Sequence, residues 1–119
     1  MTALTMLDLG QTGVSRLDPL TGLVSLAELD LWATPVRDVS PLAALEDLRR
    51  LVLWDTEVAD IAPLAGLTRL EALDLAQTPV TDLTPLQSMP RLRRLDLRYT
   101  VIRDRSVLDT LDGVEVIMR

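Results

Sequence analysis

The chain has 119 residues, 48% apolar but only 3% aromatic, with a formal net charge of −6. That length suits one domain with an aliphatic core, and the acidic balance argues against a nucleic-acid binder. Cys, His and Lys are absent, which excludes a thiol nucleophile, an imidazole base, a Schiff-base lysine, a disulfide and an ordinary zinc site.

The N-terminal segment MTALTMLDLG has no basic region and no long apolar run, so no signal peptide is expected. No stretch approaches the ~20 apolar residues that span a bilayer, so no membrane insertion is expected either. The compartment expected on these grounds is the cytoplasm, with a secreted effector as the alternative.

From Leu4 onward the chain repeats every 22 residues, in blocks that begin at Leu4, Leu26, Leu48, Leu70 and Leu92. Apolar residues occupy the first, fourth and sixth positions of each block. Leu29 and Leu31 alternate with Glu28, Asp30 and Trp32, which is the period of a half-buried strand. Equivalent strands are predicted around Leu7–Leu9, Leu51–Leu53, Leu73–Leu75 and Leu95–Leu97. A crossover joins each to the next, so they should run parallel. After each strand comes a helix-start signal. Asp18-Pro19, Ser40-Pro41 and Thr84-Pro85 each put a capping side chain before a Pro at the first helical position. Ala62-Pro63 keeps the Pro alone. The pairs Leu20/Leu23, Leu42/Leu45 and Leu64/Leu67 then point inward. Few residues remain before the next strand, so this wall is a short helical or 3₁₀ turn. In the last block Arg105 replaces an inward apolar residue and Val107 replaces the Pro. The segment 114–118 reads as a partial sixth strand of open register. One unit cannot bury its own apolar face, so the blocks must stack as a single domain over 1–119.

The pattern L-x-x-L-x-L-x-x-T resembles the leucine-rich-repeat family, in the 22-residue form of internalin-like bacterial proteins. The resemblance implies an α/β right-handed solenoid, with a parallel sheet on the concave face and short helical or 3₁₀ turns on the convex one. Thr12, Thr34, Thr56, Thr78 and Thr100 stand where the family carries Asn; a Thr hydroxyl can bond backbone groups at the turn in its place. Asp38, Asp60, Asp82 and Asp104 are expected to cap backbone N–H groups, with Arg16 breaking that column. No cap precedes Leu4, Leu7 and Leu9, and a bare strand edge predicts weak self-association through it.

In this architecture the residues between the buried leucines are free to specify a partner. One column reads Gly10, Trp32, Trp54, Ala76, Arg98, and the next Gln11, Ala33, Asp55, Gln77, Tyr99. All three aromatic residues fall in these columns, which points to an exposed contact surface. The alternative is indoles that stack on each other and shield the sheet. Two further columns read Asp8, Asp30, Val52, Asp74, Asp96 and Met6, Glu28, Arg50, Ala72, Arg94. Paired carboxylates on adjacent strands could hold a cation or act as acid and base. A solvated charge ladder is the favoured reading, so no catalytic or metal residue and no cofactor is assigned. Charge is split along the chain: residues 1–90 carry a net of −8 and residues 91–105 a net of +4. The predicted contact residues are Trp32, Trp54, Asp30, Asp55, Arg98, Tyr99, Arg50 and Arg94. The family resemblance implies a non-enzymatic module that binds a protein or peptide. The alternatives are a glycan or small ligand held by the Trp pair, or a structural fragment of a larger receptor or effector.

Overall fold

The computed structural model describes residues 3–118. Six three-residue strands form one parallel sheet in chain order: β1 (Met6–Asp8), β2 (Glu28–Asp30), β3 (Arg50–Val52), β4 (Ala72–Asp74), β5 (Arg94–Asp96) and β6 (Glu115–Ile117). The opposite wall is built of 3₁₀ turns at Asp18–Leu20, Ser40–Ala44, Ala62–Gly66, Thr84–Ser88 and Arg105–Thr110. The stack measures 40 × 27 × 19 Å. Leu7, Leu29, Leu51, Leu73 and Leu95 lie in direct register, so a position in the repeat becomes a column across the sheet. The last step differs. Leu95 pairs with Val116, one residue short of the 22-residue period, which turns Val116 inward and sets Glu115 and Ile117 on the concave face. This resolves the register that the sequence left open.

The core is a ladder of aliphatic side chains between the two walls. Leu26, Leu48 and Leu70 are fully buried, as are Leu31, Leu53 and Leu75 and, on the 3₁₀ side, Leu42, Leu64 and Leu86. Sealing is best in the middle. Leu4, Leu7 and Leu9 at one end, and Val116 and Met118 at the other, are only half-buried.

Two polar ladders shape the turns. Each threonine of the 12/34/56/78/100 column donates its hydroxyl to the carbonyl three residues back, Thr34 to Leu31 at 2.7 Å and Thr56 to Leu53 at 2.8 Å. Thr34, Thr56 and Thr78 do so in a buried setting, where an unmade bond would leave the carbonyl without a partner. The second ladder corrects the capping expected from the dipeptides before proline. Asp18, Ser40 and Thr84 do not cap their 3₁₀ turns. The carboxylates of Asp38, Asp60, Asp82 and Asp104 accept the backbone N–H two residues on, at 2.8–2.9 Å. The Ser40 and Thr84 hydroxyls donate to those same carboxylates. Ala62 therefore needs no cap of its own. Arg16, in the Asp column, instead forms an ion pair with Asp18. Asp38, Asp82 and Asp104 are held below the usual carboxylate range, first by the neighbouring Ser or Thr hydroxyl and then by the backbone N–H. Their stabilisation is present above the unfolded value near 3.8 and is lost as pH falls through their lower folded values.

Between strand and threonine the chain turns through a left-handed residue. Gln11, Ala33, Asp55, Gln77 and Tyr99 all have φ between 55° and 62°. None is glycine, and such residues carry strain of about 1–3 kcal/mol each. The ladder offsets it: the N–H of Ala33 donates to the Trp54 carbonyl at 2.8 Å, and that of Asp55 to the Ala76 carbonyl at 2.9 Å.

Candidate functional site

The concave face is set by the outward residues of β1–β6 and the two positions that follow each strand. Its aromatic element is a stacked pair. The Trp32 and Trp54 ring centroids lie 5.3 Å apart, with an interplanar angle of 19°. Both side chains are half-buried rather than fully exposed, so stacking and exposure occur together. Gly10 provides the seat. A methyl group at Gly10 would fall 1.9 Å from Trp32 Nε1 and 2.2 Å from Cδ1, so the Trp32 indole lies directly over the Gly10 backbone. On the other side of the pair, the next residue of the column, Ala76, is fully buried. The smallest residue of the Trp column, one strand before Trp32, was the sequence signal for this seat.

The predicted charged residues fall into two groups. Asp30 is half-buried and accepts the Trp32 N–H at 3.0 Å. Asp55 stands exposed on the rim at its left-handed position, and Tyr99 does the same at 73% exposure. Across the face, the Arg98 guanidinium grips Asp96 through Nε and Nη2 at 2.8–3.1 Å. Arg50 and Arg94 make only distant pairs, with Glu28 at 3.8 Å and Glu115 at 3.9 Å. They flank Ala72 in register. Two shallow depressions result, one of about 180 Å³ over Met6, Asp8, Glu28 and Asp30, and one of about 260 Å³ over Ala72, Asp74, Arg94 and Arg98. Arg50 and Val52 border both. The face therefore brings Trp32, Trp54, Asp30 and Arg50 to one half and Arg94 and Arg98 to the other, while Asp55 and Tyr99 sit at its rim.

The carboxylate column has a structural task. Asp8, Asp30, Asp74 and Asp96 each accept the N–H two residues on, fixing the chain as it leaves the strand. Among the described residues no three acidic side chains gather as a metal site. No described helix is long and apolar enough to cross a membrane.

A profile described as "Leucine Rich repeats (2 copies)" matches residues 46–88. The chain also superposes on an internalin C2 from Listeria monocytogenes with a TM-score of 0.92 and 33% identity, over 99% of its own length and 53% of that chain. It belongs to the leucine-rich-repeat family, in the internalin-like form. A second internalin of that organism, InlF, matches at 32% identity and TM-score 0.90, over 97% of this chain and 34% of that one. The structure of the TLR13–ssRNA13 complex matches at 24% identity and TM-score 0.81, over 99% of this chain and 18% of that one, which shows the shared fold. No curated protein matches by sequence. The chain thus spans about half or less of the length of these solved structures. Proteins of this family are typically non-enzymatic modules that bind other proteins.

One leucine-rich-repeat carboxylate that the sequence did not single out is Asp74. Burial is the main force raising its pKa; Asp96 and Asp30 add to the rise, while the Ala76 N–H and Arg98 oppose it. A carboxyl raised above its unfolded value contributes stability below that value and loses it as pH rises through the folded one. Asp74→Asn keeps an oxygen for the Ala76 N–H and removes the charge. It is expected to raise the melting temperature at pH 7 and to leave it unchanged near pH 3. A drop at neutral pH would contradict this electrostatic assignment. The seat of the indole pair gives a second test. Gly10→Ala is expected to push Trp32 aside, removing the near-UV circular dichroism of the stacked pair and about 0.5–1.5 kcal/mol of stability. An unchanged aromatic spectrum would contradict the close approach.

Proposed function

We propose that the concave face of this domain binds a protein or peptide segment, without catalysis, cofactor or metal. Trp32 and Trp54 are its anchors, and Asp30, Asp55, Arg50, Arg94, Arg98 and Tyr99 are the surrounding contacts. The observation that carries this reading is the half-exposed indole pair. A chain whose core is wholly aliphatic places both of its tryptophans on one open sheet face, where large aromatic side chains supply binding energy at small entropic cost. No role for nucleic acid is assigned, because the face has the acidic balance of the whole chain.

The reading is tested by selecting a displayed random-peptide library on the wild-type domain and measuring the enriched peptides on Trp32→Ala/Trp54→Ala. Binding is expected to weaken by about tenfold or more on the variant, whose melting temperature should change far less than that of a core variant. Peptides that bind both forms equally, or no enriched peptide at all, would remove the concave face as the site. Raising salt is expected to slow association more than it speeds dissociation, because charges of both signs line the face. Stopped-flow association that ignores salt would mean that the contact is apolar alone.

A further inference from the structure

The repeat provides an internal comparison. On β5, Asp96 and the residue two positions on, Arg98, form a forked ion pair, and Asp96 is almost fully covered. On β2 the same two positions hold Asp30 and Trp32. Asp30 thus has an indole where Asp96 has a guanidinium. It also has Asp8 in direct register on β1. Among the described residues neither Asp8 nor Asp30 takes part in an ion pair, and Glu28 beside them meets Arg50 only at 3.8 Å. Burial and the charge of Asp8 both push the Asp30 carboxyl upward against the Trp32 N–H, and of the three carboxylates of this half only Glu28 has a cation, Arg50, beside it. The other half has its compensation in Arg98.

We infer that the concave face takes a basic segment of a protein partner, with an arginine side chain lying along the Trp32–Trp54 pair and its guanidinium on Asp30 and Asp8, where Arg98 stands for Asp96. The inference rests on the concave face being the binding surface. Arginine fits better than lysine, because a planar guanidinium can lie against the open edge of the stacked indoles and still present paired N–H groups to a carboxylate. Asp30 and Trp32 are two residues apart on one face, so a single side chain spans both. Val52 interrupts the carboxylate column on the next strand and gives the arginine stem an apolar border.

The test titrates hexa-arginine into the domain and follows the two indole N–H resonances by NMR. Asp8→Asn/Asp30→Asn retains the side-chain oxygens that hold the Gly10 and Trp32 N–H groups, so the fold has no reason to fail. It is expected to weaken hexa-arginine by about tenfold or more. A charge-matched control, Glu46→Gln/Asp109→Asn, alters exposed residues of the opposite wall and is expected to leave affinity within about twofold. Equal losses in the two variants would overturn the inference in favour of diffuse attraction to an acidic protein. So would hexacitrulline binding as tightly as hexa-arginine, or hexaglutamate or a neutral glucose oligosaccharide binding more tightly. Library peptides that need Trp32 and Trp54 but carry no cation would also overturn it, while leaving the concave-face reading intact.

Discussion

Leu53→Ala is expected to lower the stability of the whole stack by about 2–5 kcal/mol, a midpoint shift of roughly 3–6 °C for each kcal/mol. Leu53 is fully buried in the middle block, between Leu31 and Leu75 of the same column, which are themselves fully buried. No aromatic ring or flexible side chain lies in that column to fill the gap. Each repeat depends on its neighbours for burial, so a cavity in the centre weakens both flanks at once. Leu9→Ala removes the same atoms from a half-buried position and is expected to cost distinctly less. Urea melts of the two variants check this. A Leu53→Ala midpoint equal to wild type, or a Leu9→Ala loss as large, would contradict the packing.

The fold was legible because a repeat states each rule several times over. Period-two alternation at Leu29 and Leu31, prolines at fixed spacing and one threonine per block recur until chance is excluded. What was not legible follows from geometry that no residue type encodes. Gln11, Ala33, Asp55, Gln77 and Tyr99 share no chemistry, yet all adopt the left-handed conformation. The first four bond the next repeat from that position, while Tyr99 takes the same conformation without such a bond among the described residues, so the conformation belongs to the turn and the side chain only tolerates it. Capping was legible in one column and not in the other: the Asp38 and Asp82 carboxylates take the N–H groups two residues ahead, as their column implied, whereas the residue before proline wrongly pointed to Ser40 and Thr84. The step to β6 is one residue short although the turn before it keeps the period, Leu111 and Val114 repeating the bonds of Met89 and Leu92, so the residue is lost between Val114 and Val116 and register is set by pairing rather than by period.

The candidate site was legible in its composition and not in its state. Column alignment placed Trp32 and Trp54 on the open face. It could not show that they stack, or that Gly10 carries one of them. Nor could it separate Asp96, already neutralised by Arg98, from Asp30, which is not. The concave face is where the repeat stops being uniform, and Asp74 is retained there although burial acts against its charge.

Thr56→Val is expected to destabilise the domain by about 1–3 kcal/mol although it keeps both shape and volume. The Thr56 hydroxyl is buried and donates to the Leu53 carbonyl, which has no other hydrogen-bond partner among the described residues. Valine fills the same space and leaves that carbonyl dry and unpaired, so the loss is polar and not a cavity. Thr12→Val is the internal control. Thr12 makes the same bond to the Leu9 carbonyl, but in an exposed setting where water can replace the hydroxyl, and its loss is expected to stay within about 0.5 kcal/mol. Thermal melts of the two variants against wild type therefore isolate desolvation from hydrogen bonding as such. Equal effects at the two positions would show that the threonine ladder acts through backbone propensity alone. The bond also closes the turn just past Asp55, at φ 57°, and Trp54. Thr56→Val should accordingly loosen the indole pair as well as the core, which near-UV circular dichroism recorded below the melting transition would register.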